Sequence, residues 1–339
     1  MNLSGFTFIR NAIKYDFPFQ EAVESMLPLV SEMVINIGKS EDGTEKLVED
    51  LIVSWKKENP AVSFKTIHSV WDDSKTDSGL VLSEQTNIAL KACTNPWALY
   101  LQADEAIHED DFGKIKSAIA NASADTEAIS FRYLHFYGGY TLVQRPWNWY
   151  PTEIRIIRTD RGIESFGDAQ TFKKSGEKPK SLLIDAHIYH YGHARHPDSM
   201  KKKIHYFHRF WHGDKHGIAV DQAYNLDLKN LCWFWGTHPK VYSKRISDGI
   251  KWSPKPEDFK LSVKKVLVIK KDSFLPAVLS KALMAYLKKE KIIAISYRRS
   301  LPRFLISLFS RICWFNHEEE VGFTVPEKFH ETMISKWVD

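Results

Sequence analysis

Trp97-Ala98-Leu99-Tyr100-Leu101-Gln102-Ala103-Asp104-Glu105 is the stretch that decides the fold of this 339-residue chain. Its first five residues form a continuous apolar run, the pattern of a strand buried on both faces. The run then stops at acids. In an open α/β sheet, ligands bind outside the carboxyl ends of the strands, so Asp104 and Glu105 stand where a ligand would sit. Acids in this position also serve simply to cap the next helix, and residues 104–111 are acid-rich.

Upstream of this run, strands and helices alternate. Phe6-Thr7-Phe8-Ile9 reads as a strand ending at Arg10-Asn11, and Pro18 opens a helix with Ala22, Val23, Met26, Leu27 and Val30 at helical spacing. Residues 33–37 form a second strand, followed by the loop Gly38-Lys39-Ser40-Glu41-Asp42-Gly43. Thr44 then caps a helix carrying Leu47, Val48, Leu51, Ile52 and Trp55, which stops before Asn59-Pro60. Residues 64–71 read as a third strand ending in Asp72-Asp73, and a helix through Ser83, Asn87 and Leu90 leads into the Trp97 run. This alternation predicts an α/β fold, a doubly wound parallel sheet with right-handed crossovers.

Downstream the pattern changes. Residues 129–158 are aromatic-rich strand material, and residues 187–216 hold eight of the 14 histidines. Ser253-Pro254-Lys255-Pro256 reads as a linker, dividing a domain of residues 1–252 from a small α/β appendage over 257–339. The appendage alternates a strand at 266–269, a helix from Pro276 to Lys289, a strand at 292–295 and a helix starting at Pro302.

Composition narrows the class. Hydrophobic content of 43% with 26% charged residues is that of a globular protein. The three cysteines, Cys93, Cys232 and Cys313, lie far apart with no C-x-x-C pair, which argues against a disulfide framework and fits a reducing cytoplasm. No basic segment followed by an apolar one opens the chain, so no signal peptide is read, and no apolar run reaches spanning length. Residues 1–127 hold 11 Lys+Arg against 21 Asp+Glu, and the remainder holds 36 against 21. A basic C-terminal part suits anionic partners such as a nucleotide diphosphate, a lipid-linked acceptor or the inner membrane face, although a solvated surface has the same composition. No nucleic-acid-binding motif is present.

Four motifs in order carry a resemblance. Phe8-Ile9-Arg10-Asn11, the loop Gly38 to Thr44, Ser83-Glu84-Gln85-Thr86-Asn87, and Gln102-Ala103-Asp104 closed by Ile188-Tyr189-His190-Tyr191-Gly192 resemble the elements of GT-A glycosyltransferases of family 2. The likeness runs from about residue 4 to about residue 215. It implies a GT-A fold and inverting transfer of a sugar from a nucleotide-diphosphate sugar to a glycan or lipid-linked acceptor, as in surface polysaccharide synthesis, with Mg²⁺ or Mn²⁺ as cofactor. Asp104 and His190 would hold the cation, since hard oxygen ligands hold a metal that bridges phosphates. Arg10, Asn11, Gly38, Asp42, Asp72, Asn87, Gln102 and Asp104 would bind the donor. Gln102 stands in the first acidic place of the D-x-D signature, and Ile37-Gly38 stands where an acid often reads uracil, which leaves the donor base open. Asp168, in Phe166-Gly167-Asp168-Ala169, is placed as catalytic base with Glu164 in reserve, and Glu105 substitutes for the missing acid or orients the sugar. A carboxylate in a Gly-Asp turn is also common without any such role.

Other residues admit plainer readings. Trp147-Asn148-Trp149-Tyr150 and the arginines Arg155 and Arg158 suit sugar rings and phosphates, but tryptophan rows more often pack. His187, His193 and His196 recur every three residues, which raises a metal-dependent hydrolase as an alternative, although H-E-x-x-H is absent. For His205, His208, His212 and His216 a helix-surface or acceptor-facing role is favoured. A degenerate GT-A domain that only binds nucleotide or scaffolds an assembly is the non-enzymatic alternative. Arg298-Arg299 ahead of Phe304, Leu305, Leu308 and Phe309 makes a basic-then-apolar helix that would pack on its own sheet, mediate self-association or lie peripherally on a membrane.

Overall fold

The computed structural model describes residues 2–75, 79–144, 149–212, 231–234, 236–254, 265–269 and 292–296. Its first half is the expected alternation: β1 (Leu3–Ile9), α1 (Phe19–Met26), β2 (Glu32–Gly38), α2 (Thr44–Glu58), β3 (Ser63–Ser69), α3 (Leu80–Lys91) and β4 (Trp97–Tyr100). These strands lie parallel in the order β3-β2-β1-β4. The chain winds outward from β1 to β3 and then crosses back to place β4 on the other side of β1. That reversal leaves a crevice between the carboxyl ends of β1 and β4, the place where such sheets bind ligands.

The second half is mixed rather than parallel. β5 (Glu105–Ile107), α4 (Phe112–Ala120), β6 (Ala128–Tyr137), β7 (Leu142–Gln144), β8 (Thr152–Arg158), the hairpin β9 (Ile163–Phe166) and β10 (Thr171–Lys174), and the long β11 (Ser181–His193) follow. β8 runs antiparallel to both β4 and β6, while β11 lies parallel to β6 and carries the short β5 antiparallel at its end. α5 (Pro197–His212), β12 (Leu231–Trp233) and α6 (Ser243–Gly249) complete the body. The α/β expectation is borne out, with parallel pairing concentrated in the first half.

Strand alternation builds a core on each face of the sheet. Met33, Ile35 and Ile37 join Leu99 and Leu101 in one apolar cluster, and Val34 joins Phe6, Ala98 and Tyr100 in the other. α1 buries Phe19, Ala22, Val23 and Met26 against the first cluster, and α2 buries Val48, Ile52 and Trp55 at a spacing of three to four residues. A third cluster gathers Phe136, Tyr140, Tyr191 and Tyr242.

Local details differ from expectation in three places. The residue preceding α2 is Gly43 at φ 80°, and the Asp42 carboxylate, not Thr44, accepts the Thr44 N–H at 3.1 Å. β3 ends at Ser69, where its register with Gly38 ends, and Trp71 then folds over Gly38. A Cβ on Gly38 would lie 2.4 Å from Trp71 Nε1, so only glycine admits that approach. Ser253 and Pro254, expected as linker, pack on the body: Tyr140 N donates to Ser253 Oγ and Thr141 Oγ1 to Pro254 O. Beyond them, β13 (Lys265–Ile269) and β14 (Ile292–Ser296) pair in parallel, matching two expected strands. The helices expected at 276–289 and from Pro302 lie outside the described residues. No helix among the described residues is long and apolar enough to cross a membrane.

Candidate active site at the strand carboxyl ends

A cavity of about 570 Å³ opens at the crevice between β1 and β4. Phe8, Ile9 and Arg10 enter it from the end of β1, Gln102 and Asp104 from the end of β4, and His190 from β11. Asp168 arrives from the tip of the β9–β10 hairpin, and Met200, Lys203 and Phe207 from one face of α5. Trp71, Trp149 and Tyr150 add aromatic wall.

Asp104 is 5% exposed, and its two oxygens have different surroundings. Oδ2 accepts from Arg195 Nη2 at 3.0 Å and from Lys203 Nζ at 2.9 Å. Burial alone would push this carboxyl up, but the Lys203 ammonium and the Arg195 guanidinium outweigh it and hold it well below the usual carboxylate range. Oδ1 faces His190 Nε2 at 3.8 Å.

The protonation of that histidine follows from its neighbours. His135 Nε2 lies 2.9 Å from the Tyr150 carbonyl, which can only accept, so Nε2 carries the proton. Burial pushes His135 down to about 3 and keeps it neutral. Its Nδ1 therefore accepts from His190 Nδ1, 2.9 Å away. His190 is also pushed down by burial, so its Nε2 is left as a bare lone pair. A carboxylate oxygen and an imidazole nitrogen thus face each other with no proton between them.

These donors fit a divalent cation. Mg²⁺ and Mn²⁺ in nucleotide sites take one or two protein ligands and complete their shell with phosphate oxygens and water. His135, holding the far nitrogen of His190, would supply the outer hydrogen bond that orients such a ligand. The zinc cluster suggested by the histidine-rich segment finds no such support: among the described residues no three His, Cys, Asp or Glu side chains converge on one point. His187 is buried with its N–H on Asp111 Oδ2, His193 lies against Trp149, and His196 faces Asp198 at the surface.

Gln102 acquires a reason for not being an acid. Its Nε2 donates to Ala169 O at 3.3 Å, which a carboxylate cannot do. That bond fixes the turn carrying Asp168, where Gly167 and Ala169 both have φ 63°. Asp168 accepts from Gln170 N at 3.3 Å and faces the cavity. Glu164 does not line it, but lies at the surface 3.8 Å from Lys91.

Several expected site residues serve the scaffold instead. Glu105 does not line the cavity. It is fully buried, accepts from Arg155 Nε and Nη2 at 2.8 and 2.7 Å and from Tyr133 Oη at 2.9 Å, and caps the Gln102 N–H at 3.1 Å. With both oxygens engaged it has no capacity left for a sugar or a metal. Arg155 is committed in return, Arg158 holds the carbonyls of Thr126 and Ser123, and neither lines the cavity. Asn11, Gly38, Asp42, Asp72 and Asn87 do not line the cavity. Asn11 Oδ1 accepts from Glu41 N, tying two loops together, and Asp42 accepts from Lys14 N. Asp72 makes a local turn with Ser74, and Asn87 bonds both the N–H and the carbonyl of Ser165. Arg10 lines the cavity with its guanidinium paired to Asp73 at 2.6 and 3.0 Å. Residues 145–148, and with them Trp147, lie outside the described residues.

No family model matches the sequence, and no curated protein does. Among solved structures, TarS from S. aureus matches at 16% identity, covering 66% of this chain and 42% of that one, with a TM-score of 0.35. This chain therefore spans less than half the length of that TarS. TarS 1-349 in complex with UDP-GlcNAc matches at 14% identity, over 66% of this chain and 70% of that one, with a TM-score of 0.35. Glucosyl-3-phosphoglycerate synthase from Mycobacterium tuberculosis, in complex with Mn²⁺, UDP and phosphoglyceric acid, matches at 12% identity over 39% of this chain and 43% of that one, with a TM-score of 0.26.

Sequence reasoning missed three residues of the site. His135 sits in an aromatic strand without a motif. Arg195 follows β11 and reaches the Asp16 carbonyl at 3.1 Å, 179 positions earlier. Lys203 is the last of Lys201-Lys202-Lys203. A signal was available for it: it shares one helix face with Met200, Ile204 and Phe207, and a cation on an apolar face is costly unless used.

Proposed function

We propose that this chain is a glycosyltransferase of the GT-A kind, with residues 1–252 as the transferase domain and 257–339 as an appendage. It would take a nucleotide-diphosphate sugar and transfer the sugar, with inversion, to a hydroxyl of a glycan or lipid-linked acceptor. The observation that carries the reading is the open Asp104 Oδ1–His190 Nε2 pair at the crevice between β1 and β4, with Asp168 on the same cavity. Asp104 and His190 would hold a divalent cation, whose positive charge, when bound, stabilises the leaving diphosphate.

The protein's own groups account for the rest. Asp168 takes the proton of the acceptor hydroxyl as its oxygen bonds to the anomeric carbon. The bond from that carbon to the diphosphate oxygen breaks with its electron pair, releasing the nucleoside diphosphate. The aromatic surfaces of Trp149, Tyr150 and Phe207 suit the faces of sugar rings and exclude water from the reacting centre.

Titration calorimetry with UDP, GDP and dTDP, each with and without Mn²⁺, tests the reading. Affinity for one of them that rises with Mn²⁺ in the wild type, and no longer rises in Asp104→Asn, is the expected result. No binding of any of the three under either condition would overturn it.

A further inference from the structure

We infer that Lys203 is itself a ligand of the donor diphosphate, a built-in cation that gives this site affinity for a nucleoside diphosphate even without a divalent metal. The inference rests on the transferase reading and extends it to a residue that none of the sequence motifs contains.

The ammonium of Lys203 makes two protein hydrogen bonds, to Asp104 Oδ2 and to Gly192 O, each 2.9 Å long. An ammonium has three N–H groups. The third has no acceptor among the described residues, and Lys203 lines the cavity. Its nitrogen lies 5.5 and 5.8 Å from the ring centroids of Phe17 and Phe207, so the charge is held at the cavity wall.

Charge arithmetic points the same way. Asp104 carries one negative charge and faces two cations, Arg195 and Lys203, on the same oxygen. Arg195 is 2% exposed, does not line the cavity, and also holds the carbonyls of Tyr15 and Asp16. It would remain on Asp104 if Lys203 turned towards a bound anion, so Asp104 is never left unpaired. The surplus positive charge therefore belongs to Lys203, in a cavity with largely apolar walls where a charge is poorly screened. A compact ammonium with a spare donor is a phosphate-binding group.

The experiment is titration calorimetry of the full chain with UDP, GDP and dTDP, in EDTA and in Mn²⁺. Wild type, Lys203→Met, Lys203→Arg and the control Lys202→Met, from an exposed position of the same helix, are compared. Expected is measurable binding by the wild type in EDTA, weakened by about tenfold or more in Lys203→Met, largely kept in Lys203→Arg, and unchanged in Lys202→Met. Wild type that binds in Mn²⁺ but not in EDTA would overturn the inference while leaving the transferase reading in place, as would metal-free affinity untouched by Lys203→Met. Absence of binding under both conditions would overturn the transferase reading and the inference with it. If Lys203→Met fails to fold, Lys203→Gln, which keeps hydrogen-bond donors without the charge, replaces it: loss of metal-free affinity is expected, and unchanged metal-free affinity would overturn the inference.

Discussion

Gly192→Ala would place a Cβ 2.5 Å from His190 Nε2, 2.9 Å from its Cε1 and 3.3 Å from Asp104 Oδ2. The first of these is roughly 1 Å inside ordinary van der Waals contact. The His190 ring would have to turn, and it is held on its other side by the 2.9 Å bond to His135. Breaking that bond costs about 1 kcal/mol and overpacking a buried site about 1–3 kcal/mol, so a stability loss of about 2–4 kcal/mol is expected. The functional effect is more specific. The methyl sits against the nitrogen whose lone pair faces Asp104, so enhancement of nucleotide binding by Mn²⁺ should disappear. Metal-free affinity should change less, since the Lys203 ammonium is not displaced by this contact. Urea denaturation reads the first effect and calorimetry the second. Gly113→Ala is the control: nothing lies within 4 Å of its added carbon in α4, and a helical alanine gains about 0.5–1 kcal/mol over glycine. Unchanged stability together with intact Mn²⁺ enhancement in Gly192→Ala would refute the assigned geometry. This variant is more informative than Asp104→Asn by itself, since removing a buried carboxylate that pairs two cations also destabilises the fold by about 3–5 kcal/mol.

Three further outcomes are expected. Asp168→Asn should keep donor affinity and lose turnover by about 10²–10⁴-fold in a sugar-transfer assay; wild-type turnover would remove it as the base. Glu105→Gln should lose about 3–5 kcal/mol in urea unfolding, because Arg155 would be left buried without its countercharge; a neutral effect would contradict the structural role given to this pair. His238, whose Nδ1 lies 2.8 Å from Tyr191 Oη, is pushed down to about 3 from 6.5 by burial. The unfolded chain binds this proton near pH 6.5 and the folded one only near pH 3, so the folded state loses stability as pH falls through that window. His238→Asn should flatten the decline by about 1–2 kcal/mol between pH 6.5 and 5, and an unaltered acid limb in unfolding curves would count against a neutral buried His238.

Much of the parallel half was legible because its signals are local. The apolar runs at residues 33–37 and 97–101, the breaks at Asn59-Pro60 and the helical spacing of Val48, Ile52 and Trp55 each act within a few residues. Asp104 was legible for the same reason, as the acid that ends a buried strand. The parting of Asp104 from Glu105 was not. The two are adjacent, and strand geometry only says that neighbours point to opposite sides; which side holds the cavity depends on where Arg155 of β8 and His190 of β11 arrive. The same limit applies to Gln102, whose bond to Ala169 spans 67 positions.

By itself, then, the sequence determined the strand–helix alternation, the α/β class and the placing of an acid at a strand end, since backbone propensity and burial pattern act over short distances. The tertiary structure alone decided which polar groups work together. Asp104, His190, Arg195 and Lys203 meet because separate strands and a helix pack around one crevice, and Glu105 withdraws into the core because Arg155 is there to neutralise it. A charge brought into a poorly solvated site takes its role from the partner it meets, and that partner is chosen by packing between residues far apart in the chain.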